Sequence, residues 1–154
     1  MNAKAISFEE LFPLISEKIA EGKSFSFLAF GKSMLPFLKN GVDTVTLSPV
    51  KGNLEKNDVI FYRRKSGQFI LHRIVKILDN GEIWLCGDNQ YFIEKGIYKD
   101  QVIAILTSVN RKGKDICLTS FMQKLYLIYL PVRRSVFLLG YKIKNRIKRI
   151  LKRK

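Results

Sequence analysis

The chain opens on a helical pattern. Phe8, Leu11, Phe12, Ile15 and Ile19 recur at helical spacing between Gly22 and a capping-box pair, Ser7 and Glu10, predicting an amphipathic helix over residues 7–21 that packs on the body. From Ser24 the period shortens. Apolar, β-rich runs follow at Phe25–Phe30, Thr44–Leu47, Val59–Tyr62, Phe69–Ile77, Glu82–Cys86 and Val102–Val109. Turn signals separate them: Asn40-Gly41, Lys51-Gly52-Asn53, Ser66-Gly67 and Asp79-Asn80-Gly81, the last reading as a tight hairpin connection. Six strands without interleaved helices predict an antiparallel, mainly β (α+β) body. After Lys114 the helical period returns. Phe121–Leu130 is apolar nearly all round, Pro131 is expected to break or kink it, and Val136–Leu151 resumes with Ile143, Ile147, Ile150 and Leu151 on one face against Lys142, Lys144, Arg146, Lys148, Arg149 and Lys152. The expected organisation is a body over residues 1–114 and a basic amphipathic helical tail over 115–154.

Charge sharpens this division. The 154 residues carry a formal charge of +15, with 47% apolar and 27% charged residues, a composition that folds. Up to Asn110 there are 14 basic and 12 acidic residues; beyond it there are 14 basic and one acidic. A nearly neutral body thus carries a cationic appendage, whose partners are anionic. A basic amphipathic helix lies in the headgroup region of an anionic membrane, each nearby cation contributing about 1 kcal/mol. The alternatives are a solvated helix whose stripe packs on the body, and nucleic-acid binding through the tail. The second is disfavoured because a nucleic-acid groove would spread cations over the body.

Other classes are excluded. Cys86 and Cys117 are too few for a disulfide framework and, with a single histidine, too few for a zinc site, so no metal or cofactor is expected and a reducing compartment is favoured. Met1–Glu10 lacks the pattern of a secretory leader. Lys124 and the pair Arg133-Arg134 cut the uncharged runs to about eight residues, against roughly 20 for a membrane span, so none is expected.

Three polar features stand against the β background. Gly31-Lys32-Ser33-Met34-Leu35-Pro36 puts a hydroxyl on a turn after an apolar run, although serines in Gly/Pro turns are mostly turn formers. In Ile70-Leu71-His72-Arg73-Ile74, alternation puts His72 on the face of Ile70 and Ile74, with Arg73 opposite; this suits a core histidine as well as a base. Gly87-Asp88-Asn89, with Glu94 just after, supplies carboxylates. Serine, histidine and carboxylate are the three parts that make a weak hydroxyl nucleophilic.

These boxes carry a resemblance. Gly31-x-Ser33-Met34-x-Pro36, Asn57-Asp58-Val59-Ile60-Phe61, His72-Arg73 and Gly87-Asp88-Asn89 resemble, in that order, the boxes of the type I signal peptidase family, over about Phe25 to Val109. The similarity is to its serine-histidine branch, found in archaea, the endoplasmic reticulum and some Gram-positive bacteria; the bacterial branch and the related self-cleaving repressors have lysine where His72 stands. The resemblance implies a signal-peptidase-like β body, Ser33 as nucleophile, His72 as general base and backbone N–H groups near Ser33 in the oxyanion hole. It also implies an extended peptide or precursor-protein substrate added along strands beside the serine, with Met34 and Pro36 as substrate-binding positions. The run Gly22 to Phe30 offers either such an edge or a buried core strand. In the branch an aspartate lies six residues after that of the Gly-Asp-Asn box, before a Gly-x-Tyr signature; here Glu94 takes that place, before Gly96-x-Tyr98, leaving Glu94 or Asp88 as the acid. Asn57-Asp58 replaces the usual Gly-Asp, and no counterpart of the family's transmembrane anchor is expected in these residues, a role the tail would take.

The expected function is a serine endopeptidase cleaving a leader or signal-like peptide. It would be membrane-associated without a span, at the cytoplasmic face by the positive-inside tendency. The alternatives are a catalytically weak or inactive peptide-binding module of the same fold, and a nucleic-acid-binding protein.

Overall fold

A computed structural model describes residues 8–116 and 121–151, so Ser7 of the capping box and Cys117 lie outside the described residues. A first helix, α1 (Phe8–Ala20), is followed by strands β1 (Phe25–Leu28), β2 (Asp43–Ser48), β3 (Val59–Arg63), β4 (Phe69–Ile77), β5 (Ile83–Cys86), β6 (Glu94–Ile97), β7 (Val102–Arg111) and β8 (Lys114–Asp115), and then by a second helix, α2 (Phe121–Leu151). All strand pairs are antiparallel, in the order β1-β2-β7-β3-β4-β5-β6 with β8 added to β7. The mainly β body with a helix at each end therefore stands. All six predicted runs are strands, and Asp79-Asn80-Gly81 turns β4 into β5 with Gly81 at φ 81°. β6 and β8 were not predicted: Glu-Lys-Gly-Ile and Lys-Asp carry no β pattern and become strands through their pairing with β5 and β7.

Two apolar clusters cover the sheet. One joins Val45, Leu47, Val59, Phe61, Ala104 and Val109 to Met34, Phe37 and Leu38 of the segment after β1. The other is Ile60, Tyr62, Ile74, Ile83, Leu85 and Ile97. Strand alternation explains the split, since β3 sends Val59 and Phe61 to one side and Ile60 and Tyr62 to the other. Each fully buried large side chain stabilises the fold by roughly 1.5–3 kcal/mol.

The long segment between β1 and β2 is tied down by charge. Asp43, at the start of β2, accepts two hydrogen bonds of 2.7 Å from Arg111 and one of 2.8 Å from the Lys39 N–H. Arg111 also donates to the Phe37 carbonyl, at 3.0 Å. The Arg111 hydrogen bonds hold the Asp43 carboxyl below the usual carboxylate range, against the opposing effect of burial.

Helix α2 runs through Pro131 without a break, contrary to the expectation from its sequence. An internal proline costs about 3 kcal/mol, and contacts on both sides of it offset this. Tyr126 stacks on Phe37, Leu130 is buried, and Tyr91 stacks on Phe137 with ring centroids 3.6 Å apart. The outer face leaves Ile128, Val132, Val136, Leu139, Ile143 and Ile147 exposed. Among the described residues no helix is long and apolar enough to cross a membrane.

Candidate active site

Ser33 sits half-buried on the turn that follows β1. The turn needs Gly31 at φ 102°, a conformation that L side chains avoid, and the Gly31 N–H donates to Asn40 Oδ1 at 2.8 Å. Ala29 donates to the Asp43 carbonyl and Leu38 to that of Met34, closing the segment on itself. Buried Met34, Phe37 and Leu38 anchor it to the core, whereas Pro36, preceded by a cis peptide bond, faces solvent.

The Gly87-Asp88-Asn89 turn is strapped across this segment. The Asn89 N–H donates to the Ser33 carbonyl at 2.7 Å and its side-chain amide to the Lys32 carbonyl at 3.1 Å. Gly87 lies where the serine turn meets the histidine. A Cβ at this position would stand 2.6 Å from the Ser33 carbonyl oxygen and 3.1 Å from His72 Nε2, so only glycine lets the two approach.

His72, on β4, is 2% exposed and shares its face with Ile70 and Ile74 as alternation predicts. Its register partner on β3 is Ile60, which brings Tyr62, two residues on, alongside the ring as a diagonal neighbour. Nδ1 lies 3.4 Å from the Tyr62 hydroxyl and 4.0 Å from Glu94 Oε2, and the Tyr62 hydroxyl donates to that same Oε2 at 2.8 Å. With the tyrosine proton directed at Glu94, the network assigns the histidine proton to Nδ1, and Nε2 on the Gly87 side is the free acceptor. Arg64 grips Glu94 with both Nε and Nη2. Burial raises the Glu94 carboxyl, but the Arg64 and Tyr62 hydrogen bonds outweigh it and hold it below the usual range. Burial lowers His72 to about 4, against the attraction of Glu94. The imidazole is therefore neutral at pH 7.

The two candidate acids lie in different surroundings. Asp88 is buried and accepts from Arg73 at 2.8 and 2.7 Å and from the Tyr126 hydroxyl at 3.0 Å. Arg73, opposite His72 as predicted, stacks on Phe37 at 4.7 Å. Glu94 is the carboxylate joined to His72 through Tyr62, and Asp88 holds the turn in place. Asn57, at φ 80°, adopts the left-handed backbone where glycine is the usual choice.

A cleft of about 330 Å³ opens beside Ser33, walled by Phe27, Ala29, Met34, Phe61 and Leu71. Met34 lines it and Pro36 does not. β1 ends the strand order, so the run from Gly22 to Phe30 holds an edge strand. β4 pairs with β5 from Arg73 onward, and its preceding residues Phe69, Ile70 and Leu71 line the cleft. The terminal strand β1 and the start of β4 thus flank one apolar cleft.

Tyr62 and Arg64 escaped the sequence reading. Alternation along β3 puts Tyr62 on one face with Ile60, but only the register to His72 makes it a neighbour. Among the described residues no group of three His, Cys, Asp or Glu is placed to hold a metal ion. The arrangement brings the backbone of the Ser33 turn and His72 Nε2 together at Gly87. No protein-family model matches the chain, and no curated protein matches it.

Proposed function

We propose that the chain is a serine endopeptidase of signal-peptidase type that cleaves a leader or signal-like peptide. One observation carries this reading: the Ser33 turn and His72 Nε2 both close on Gly87, within 2.6 and 3.1 Å of where a Cβ would stand, and the other nitrogen of that histidine meets Tyr62 and Glu94. An extended peptide adds beside β1, the terminal strand, with alternate side chains in the apolar cleft. His72 Nε2 takes the Ser33 proton as Oγ bonds to the scissile carbonyl carbon, and backbone N–H groups at the Ser33 turn stabilise the oxyanion. The imidazolium then protonates the leaving amine as the C–N bond breaks. Water, activated by the same nitrogen, hydrolyses the acyl-serine and restores both groups. Tyr62 and Glu94 offset the charge on the buried imidazolium.

The exposed apolar residues of α2, together with its lysines and arginines, support action at an anionic membrane surface, the cytoplasmic face by its excess of cations. Incubation with synthetic leader peptides and an active-site serine probe tests the enzyme. Cleavage and labelling are expected for the native chain and for neither Ser33→Ala nor His72→Ala. Cleavage at the native rate by a folded Ser33→Ala protein rules the reading out.

A further inference from the structure

A second cleft, of about 610 Å³, lies between α2 and the start of the β3–β4 unit, away from the walls of the Ser33 cleft. Its charged lining is cationic: Lys56, Lys124 and Arg134 line it beside Asn57 and Arg73, and among the described residues no acidic side chain does. Arg73 is already satisfied by Asp88 and by the Asn57 carbonyl. Arg134 meets the Cys86 thiol, but its Nε is buried without a hydrogen-bond partner among the described residues. A desolvated guanidinium donor beside two ammonium groups calls for an anion of several oxygens. The remaining wall is apolar, with Leu127 and Ile128 of α2, and Ile128 continues into the exposed stripe through Val132 and Val136. An inorganic anion would leave this wall uncovered, whereas an uncharged chain would leave the cations of Lys56, Lys124 and Arg134 unmatched.

We infer that this cleft binds a single anionic lipid, its phosphate at Arg134 and Lys124 and an acyl chain along Leu127 and Ile128. The site is a discrete pocket, distinct from the diffuse attraction of the cationic tail for a charged surface, and it does not depend on Ser33 being a nucleophile.

Calorimetric titration of the full chain with monomeric dihexanoylphosphatidylglycerol tests it without a membrane and without peptide substrate. Saturable one-to-one binding is expected, weakened about tenfold or more in Arg134→Gln/Lys124→Gln. Dihexanoylphosphatidylcholine and inorganic phosphate should each bind at least about tenfold more weakly than the anionic lipid. Lys142→Gln/Lys144→Gln, with the same loss of charge further along α2, should bind as the native chain does. Ile128→Asp, at an exposed position on the wall, should weaken binding and gives a second reading if the arginine variant misfolds. Equal binding of phosphate makes this a free-anion site, equal binding of the choline lipid makes it an apolar groove, and equal weakening by the distal pair makes the attraction diffuse. Each of these, like a lack of saturable binding, overturns the inference.

Discussion

Nδ1 of His72 and Oε2 of Glu94 lie 4.0 Å apart, and the Tyr62 hydroxyl contacts both, 3.4 Å from the nitrogen and 2.8 Å from the oxygen. The carboxylate therefore acts on the imidazole through a phenol. Tyr62→Phe removes that link while Arg64 still satisfies Glu94. We expect kcat/KM for leader cleavage to fall about tenfold to a hundredfold, mostly in kcat, with unfolding free energy changed by about 1 kcal/mol. Steady-state kinetics beside urea unfolding checks this; an unchanged kcat makes the tyrosine a packing residue only.

The depressed His72 value sets a pH dependence. A base held at about 4 stays free of protons well below the ordinary 6.5, so the acid limb of kcat/KM should fall near pH 4 to 5. Stability follows the same group. Between about 4 and 6.5 the unfolded chain binds a proton at His72 that the folded chain does not, so stability rises with pH across that window. The contribution, roughly 3 kcal/mol, is complete above 6.5 and lost on acidification toward 4. Urea unfolding at several pH values should show a smaller slope in His72→Gln than in the native chain.

Gly87 offers a steric test. A methyl group there would stand 2.6 Å from the Ser33 carbonyl oxygen, so the serine turn must retreat from the histidine. Gly87→Ala should lose leader cleavage by a hundredfold or more, on the order of the value of oriented reacting groups, and destabilise the fold by about 1–3 kcal/mol. Retention of native kinetics would mean the two loops tolerate separation.

Two acid substitutions should separate in kind. Asp88→Asn leaves Arg73 buried and half-paired and should lower stability by about 3–5 kcal/mol. Glu94→Gln should instead lower kcat. Thermal unfolding and kinetics of both proteins decide the matter, and a larger kinetic defect in a folded Asp88→Asn would reverse the assignment.

Local pattern made much of this legible. Alternation in Ile70–Ile74 put His72 and Arg73 on their observed faces, helical spacing found α1, and the one-sided charge marked α2. What stayed hidden is non-local. Tyr62 reads as one more β-rich residue until the Ile60–His72 register puts it beside the imidazole. Glu94 belongs to a strand that exists only by pairing with β5. The choice between the acids turned on Arg73 and Arg64, whose reach no spacing encodes. Pro131 misled because the contacts that outweigh it come from Phe37, Tyr91 and Asp88, far away in sequence.

Arg133 gathers three groups of the 88–91 turn, donating to the Asp88 carbonyl at 2.7 Å, to Asn89 Oδ1 at 3.2 Å and to the Tyr91 hydroxyl at 2.8 Å. The same turn holds Ser33 through the Asn89 N–H. Hydrogen bonds thus run from helix through turn to serine loop, so opening of α2 is expected to loosen the other two. The Asn89 amide hydrogen should exchange with solvent at the rate set by departure of α2, making the placement of the Ser33 turn a readout of the helix.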